Sequence, residues 1–347
     1  AKYGVTKVKS MHQQKVNAPI SRREFTRKTV LALAAMSAAG MIGYGIFNSK
    51  KLRSFNNVHR MGHCAPSVMQ TLLEINGIDN TEMVLYTGAM AGGIAGPDTE
   101  CGCLTAPLMF AGFQKNGFNS IAEELNLLYK SQLYVNEFIA CNNSGICSKI
   151  RQGGMSSCTK AVCTFHKPFS KAMSSTGCLS GEATESYTGL LKAFEDHKFH
   201  CAHNVLHNLS SKFSITKELF GSSWIFIGGI AMLNRTCGAL AAGVTALSAK
   251  TAKMEDSYSR VSKMNRLLRS KSNEAMNEDI NNFNRSILLS EELGSWFRKE
   301  FGSTSCRDIW GYDFSKTKDS EEFISGRCMD HCAKMAYKVA QQVNTMI

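Results

Sequence analysis

The sequence predicts an all-α protein made of two tandem, related helical bundles, preceded by an N-terminal transmembrane helix. Three observations predict this. Apolar residues recur at helical spacing in CAPSVMQTLLEI, CGALAAGVTALSAKTAKM and CMDHCAKMAYKVAQQV, with no proline beyond the first turn of any of them. No segment sustains the apolar/polar alternation of a half-buried strand. Landmarks of the first half also return, in the same order, in the second half.

The 347 residues are 44% hydrophobic and 20% charged, a globular composition with length enough for two domains. A net charge of +12 suggests a nucleic-acid binder until its placement is considered. Residues 1–53 hold eleven Lys/Arg against Glu24 alone, a balance of +10, so the body carries only +2. The charge therefore belongs to a targeting or membrane signal, and no nucleic-acid partner is expected.

The N-terminal region comes first. SRREF, from Ser21 to Phe25, leads into nineteen uncharged residues, Thr29 to Phe47. Twin arginines before a mildly apolar segment resemble a twin-arginine export signal. Nineteen residues also suffice for a membrane-spanning helix, and the basic flank keeps the N-terminus in the cytoplasm. The expectation is a retained single anchor in the cell membrane over residues 1–53, with the body on the periplasmic side. This export route handles folded proteins, which favours a metallocofactor loaded before export.

The body reads as one unit written twice, over 54–182 and 183–347. HCA opens both copies, at His63 and His200. Cys64 is followed 37 residues later by Cys101, and Cys201 is followed 36 residues later by Cys237. Nine residues before each later cysteine stands Gly-Gly-Ile, at Gly92 and at Gly228. Small residues then follow, in CGCLTAPLMFAG and CGALAAGVTALS. A looser match pairs the approach to Cys147 with the approach to Cys306. The long polar stretch from Lys253 to Phe297 has no counterpart of that length in the first copy, and its spacing predicts one or two added surface helices.

These landmarks resemble the C_GCAxxG_C_C family, to which redox activity is attributed and of which the split-Soret cytochromes are relatives. In the second copy the resemblance rests on Cys201, Cys237-Gly238-Ala239, Cys306 in CRDIWGYDF and Cys328 in GRCMDHCAKMAYKV. In the first it rests on Cys64, Cys101-Gly102-Cys103, and Cys147 with Cys158 or Cys163. The resemblance implies redox chemistry. Cys-x-x-Cys-His occurs nowhere in the chain, so no c-type haem is expected.

Thirteen cysteines, an odd number, cannot all pair within one chain. A [4Fe–4S] cluster needs four converging thiolates, and a helix N-terminus favours negative charge on sulfur. Cys64, Cys101, Cys201, Cys237, Cys306 and Cys328 all fall near predicted helix starts. The Gly-Gly turns would let backbone N–H groups approach the sulfurs. Two copies then predict two clusters, held by Cys64, Cys101, Cys147 and Cys158 and by Cys201, Cys237, Cys306 and Cys328. Cys103, Cys163 and Cys332 are further candidate metal ligands. Disulfides such as Cys158–Cys163 or Cys141–Cys147 are an alternative in an oxidising compartment, and zinc is another. His200, His203 and His207 share a helical face, but the first copy keeps only His63, so hydrogen-bonded structural histidines are the simpler reading. No P-loop, dinucleotide fingerprint or Ser/His/Asp arrangement is present.

The expected function is that of a membrane-anchored, extracytoplasmic iron–sulfur electron carrier. Its expected partners are the membrane and other subunits of a respiratory redox complex, cytochromes or a quinone-reactive membrane subunit among them. The alternatives are an iron–sulfur or dithiol reductase, and a disulfide-stabilised metal-binding structural subunit.

Overall fold

The computed structural model describes residues 50–61, 63–115, 117–152, 154–179, 181–210, 213–253 and 285–347. The expected export signal and anchor lie outside these residues, as does most of the polar stretch of the second half. Among the described residues, no helix is long and apolar enough to cross a membrane. The architecture is all-helical, and its only β-type pairings there are isolated bridges.

The first half runs through α1 (Lys50–Met61), α2 (Cys64–Ile75), α3 (Thr81–Tyr86), a 3-10 turn (Gly88–Met90), α4 (Gly102–Lys115), α5 (Ile121–Asn142), α6 (Cys147–Arg151), α7 (Gly154–Thr164) and α8 (His166–Met173). The second half runs through α9 (Gly181–Asp196), α10 (Cys201–Leu209), α11 (Lys217–Ser223), a 3-10 turn (Trp224–Phe226), α12 (Gly238–Thr251), α13 (Arg285–Phe301), α14 (Cys306–Trp310), α15 (Thr317–Ser325) and α16 (Cys328–Met346). The duplication is plain in this order. Helix α2 answers α10, α3 answers α11, α4 answers α12, α5 answers α13 and α6 answers α14.

Local chemistry sets the helix ends. Ser120 caps α5 by accepting the Glu123 N–H, and Asn143 ends it in the left-handed region at φ 59°. Helix α4 contains Pro107, which has no N–H to give to the carbonyl four residues back. That carbonyl, on Cys103, instead accepts the hydroxyl of buried Tyr134 at 2.8 Å. The hydrogen-bond deficit made by one residue of α4 is thus filled from α5.

The halves interlock. Helix α11 and the 224–226 turn pack on α4, while α3 and the 88–90 turn pack on α12. This reciprocity is that of a two-fold interface made within one chain. Gly112 permits the close approach of α4 to α11: a Cβ there would stand 2.6 Å from the Gly221 carbonyl oxygen. Cross-half hydrogen bonds include Ser248 Oγ to Leu85 O at 2.6 Å and Ser290 Oγ to Ala89 O at 3.0 Å. One continuous hydrophobic core, from Val68 and Leu104 to Leu240 and Val339, runs through both halves.

Candidate functional site

Each half gathers thiols by the same device. In the first, Cys101 N–H donates to Gly145 O at 2.8 Å and Cys147 N–H donates to Thr99 O at 2.9 Å. In the second, Cys237 N–H donates to Thr304 O at 2.8 Å and Cys306 N–H donates to Arg235 O at 2.7 Å. An antiparallel bridge accompanies each pair, Glu100 with Ile146 and Thr236 with Ser305. Two stretches far apart in sequence are so clamped that their cysteines stand at neighbouring helix starts.

The first cysteine of each half arrives on its own helix. Cys64 opens α2, and its sulfur accepts N–H bonds from Ala65 and from Gly92 across the turn. Cys201 opens α10 and receives the same bonds from Ala202 and Gly228. The Gly-Gly turns thus bring a backbone N–H to the first thiol of each set. Gly92, Gly93, Gly228 and Gly229 all have positive φ, and a Cβ on Gly229 would stand 2.7 Å from the Cys306 Cβ. In the second half the left-handed backbone continues through Ile230, Ala231 and Met232, a conformation costly to side-chain-bearing residues. The backbone strain of the fold is thus concentrated beside the second thiol set.

Sequence reasoning gave no reason for the glycine after the second cysteine. The structure does. A Cβ on Gly102 would stand 2.7 Å from the Met90 carbonyl oxygen and 3.3 Å from Cys64 Sγ. A Cβ on Gly238 would collide with the Phe226 carbonyl and with Cys201 Sγ. Cys-Gly is therefore needed so that the first and second cysteines of each set can meet.

The first set comprises Cys64, Cys101, Cys147 and Cys158, with Cys103 as a fifth thiol. The Cys103 thiol hydrogen-bonds Cys64 and Cys101, which draws Cys64 below the ordinary cysteine range and pushes Cys103 well above it. Burial, with the charges of Cys64 and Cys101, pushes Cys158 up to about 11 and raises Cys147 as well. The second half has Ala239 in place of Cys103, so its set has no fifth thiol at that position.

The second set comprises Cys201, Cys237, Cys306 and Cys332. Burial and then the neighbouring Cys237, Cys306 and Cys201 push the Cys332 thiol well above the ordinary range. Burial also raises Cys201, to about 12, and Cys306. Cys328 is the expected ligand that this set does not include: its sulfur is hydrogen-bonded with Tyr312. Both cysteines lie on α16, which packs against α10, but Cys332 is one turn further along, beside Cys237, Cys306 and Cys201. Cys163 also stands apart. It is five residues from Cys158 on α7, hence about 140° away around the helix, and its charged neighbour is Lys51 on α1.

All thirteen cysteines are unbridged in the structure. Among the described residues, no group of three or more His, Cys, Asp or Glu could hold a single metal ion. An iron–sulfur cluster is a larger body held by thiolates set around it, and each set supplies four buried or half-buried thiols with N–H donors aimed at the first. Neutral burial and mutual repulsion hold most of these thiols protonated, and a cationic centre among them would reverse that balance. The donor chemistry fits such a group.

The two sets are neighbours. Thr236, just before Cys237, hydrogen-bonds the carboxylate of Glu100, just before Cys101. Arg235 completes the link with an ion pair to Glu100 at 3.6 Å. Glu100 is 3% exposed, so this charge is carried inside the protein between the sets. Nothing in the sequence spacing singled it out.

The histidines have structural work. His200 caps α10 by accepting the His203 N–H, and its Nε2 bonds the Trp224 carbonyl at 3.1 Å. The Nε2 of His203 bonds the Phe220 carbonyl at 2.9 Å, and the two rings stack at 3.9 Å.

The model of the family described as "Putative redox-active protein (C_GCAxxG_C_C)" matches residues 62–172 and again residues 199–346. The chain belongs to this family and carries its unit twice, in tandem. No curated protein and no solved structure matches the chain.

Proposed function

We propose that the protein is an iron–sulfur electron carrier, tethered to a membrane by its N-terminal segment and facing the extracytoplasmic side. The observation that carries the reading is that each half gathers four thiols, the first three at helix starts and the first of them under a Gly-Gly turn. Cys64, Cys101, Cys147 and Cys158 would hold one [4Fe–4S] cluster, and Cys201, Cys237, Cys306 and Cys332 the other. Such clusters, when bound, take up and release single electrons. The chain's part is to supply the thiolates, keep them dry and stabilise their charge through the N–H groups of Gly92 and Gly228. The Glu100–Thr236 contact supports passage between the two halves, because it brings the sets against each other. The SRREF signal and the uncharged run to Phe47 support the membrane location and partners in a respiratory redox complex.

Iron and acid-labile sulfide on anaerobically purified protein test the reading, with about four of each expected per set. Cys332→Ser should halve both, and Cys328→Ser should leave both unchanged. A colourless protein with about zero iron would sink it. One observation favours a second reading, a dithiol reductase: the fifth thiol, Cys103, is hydrogen-bonded to both Cys64 and Cys101. Turnover of a small disulfide acceptor without any partner, lost in Cys103→Ser, would select that reading.

A further inference from the structure

A cleft of about 920 Å³ opens between the halves, lined by residues 112–124 of the first and residues 191–227 of the second. It is distinct from both thiol sets, whose cysteines do not line it. Its wall includes His200, the residue before Cys201, whose ring is bonded to the carbonyl of Trp224 on the cleft floor.

The lining is aromatic below and polar above. Phe194, Phe199 and Trp224 are buried at the floor, and half-buried Phe118 and Phe220 form walls. Phe118 and Trp224 lie 4.4 Å apart between ring centroids. These two rings pack on each other at a tilt of 42°, so a planar ring would stack on their cleft-facing sides. The rim mixes Lys198 and Lys217 with Glu195, so it selects no single ionic charge. The one half-buried carboxyl inside is Glu124, which accepts the indole N–H of Trp224. Burial, with the charge of Glu195, raises it above the usual carboxylate range. The side-chain amides of Asn119 and Asn204, which also line the cleft, can donate to a carbonyl oxygen. Volume and lining match those of small-molecule sites, which combine apolar walls with a few placed polar groups.

We infer that this cleft binds a planar conjugated ring carrying carbonyl acceptors, of the quinone class, against the wall that leads to Cys201. The first half has Gly88 where the second has Trp224, so the ring that floors this cleft is not repeated at that position. The purpose of the site rests on the electron-carrier reading, but the binding itself does not.

The test is equilibrium dialysis of the purified chain against 2-methyl-1,4-naphthoquinone, with iron measured on the same samples. One saturable equivalent is expected, weakened at least ten-fold in Phe118→Ala. It should also weaken in Glu124→Ala and recover in Glu124→Gln, which keeps an acceptor for the Trp224 indole N–H. Unchanged helical circular dichroism shows that a variant is folded, and the partly exposed Glu124 pair carries the test if Phe118→Ala is not. Saturable binding to iron-free protein would uphold the cleft while the electron-carrier reading fails. Iron-loaded protein that takes up no naphthoquinone, or binds it equally in every variant, would overturn the cleft alone. Binding of flavin mononucleotide with exclusion of the naphthoquinone would overturn the quinone assignment.

Discussion

At the scale of single residues, the two cysteine sets depend as much on glycine as on sulfur. Gly102 and Gly238 occupy one place in the two copies, and at each a methyl group would strike the first cysteine of the set and a backbone carbonyl. Neither has a positive φ, so alanine is conformationally acceptable there and the obstacle is contact alone. Gly238→Ala should cost roughly 1–3 kcal/mol, the usual penalty of overpacking. It should also remove metal from the second set while the first keeps its share. Denaturant titration and iron analysis on one preparation check both; retention of full iron would show that the close approach is not needed. The repeated CG dipeptide was legible in the sequence, but its reason was not, because the atoms it avoids come from residues 226 and 201. Cys328 and Cys332 were ambiguous for a related reason. Both lie on one helical face by spacing, and only the packing of α16 on α10 decides which reaches the other thiols.

At the scale of elements, α10 shows how the duplicated helix differs from its partner. The spacing of His200, His203 and His207 suggested a shared face, and their absence from the first copy suggested a structural role. The geometry agrees: the first two spend their Nε2 atoms on backbone carbonyls. Burial, together with the neighbouring ring for His200, depresses both, His203 to about 4 from 6.5. A folded-state value below the unfolded one means the unfolded chain binds more protons across that interval. Stability is therefore fully present above about pH 6.5 and is lost as pH falls toward about 4, with His203 accounting for about 3 kcal/mol. The denaturation midpoint of metal-free protein at pH 7 and at pH 4.5 measures this. His203→Gln, which can keep a bond to the Phe220 carbonyl, should flatten the dependence; an unchanged pH slope would place the effect elsewhere.

At the scale of the whole molecule, the two copies form one object. Periodicity and repeat spacing revealed the helices, their order and the duplication, since those signals are local. The interlocking of α4 with α11 and of α12 with α3 was not legible. It depends on complementary surfaces, and on close approaches such as Gly112 to Gly221, that no pattern within a single copy encodes. Because one core runs through both halves, unfolding of the body should be a single transition. Far-ultraviolet circular dichroism and tryptophan fluorescence should report the same midpoint, and two separated midpoints would mean that the halves are independent. The shared core also explains how Glu100 comes to lie beside Thr236, joining the backbones that carry Cys101 and Cys237.

Each half is proposed to hold an iron–sulfur cluster, with the two clusters as neighbours. Electron paramagnetic resonance of anaerobically prepared protein during stepwise reduction tests it most directly. A cluster signal is expected from each half, broadened by mutual interaction when both are reduced, with Cys332→Ser leaving one unbroadened signal. A chain that gives no cluster signal at any potential, or one signal unaffected by Cys332→Ser, would contradict it.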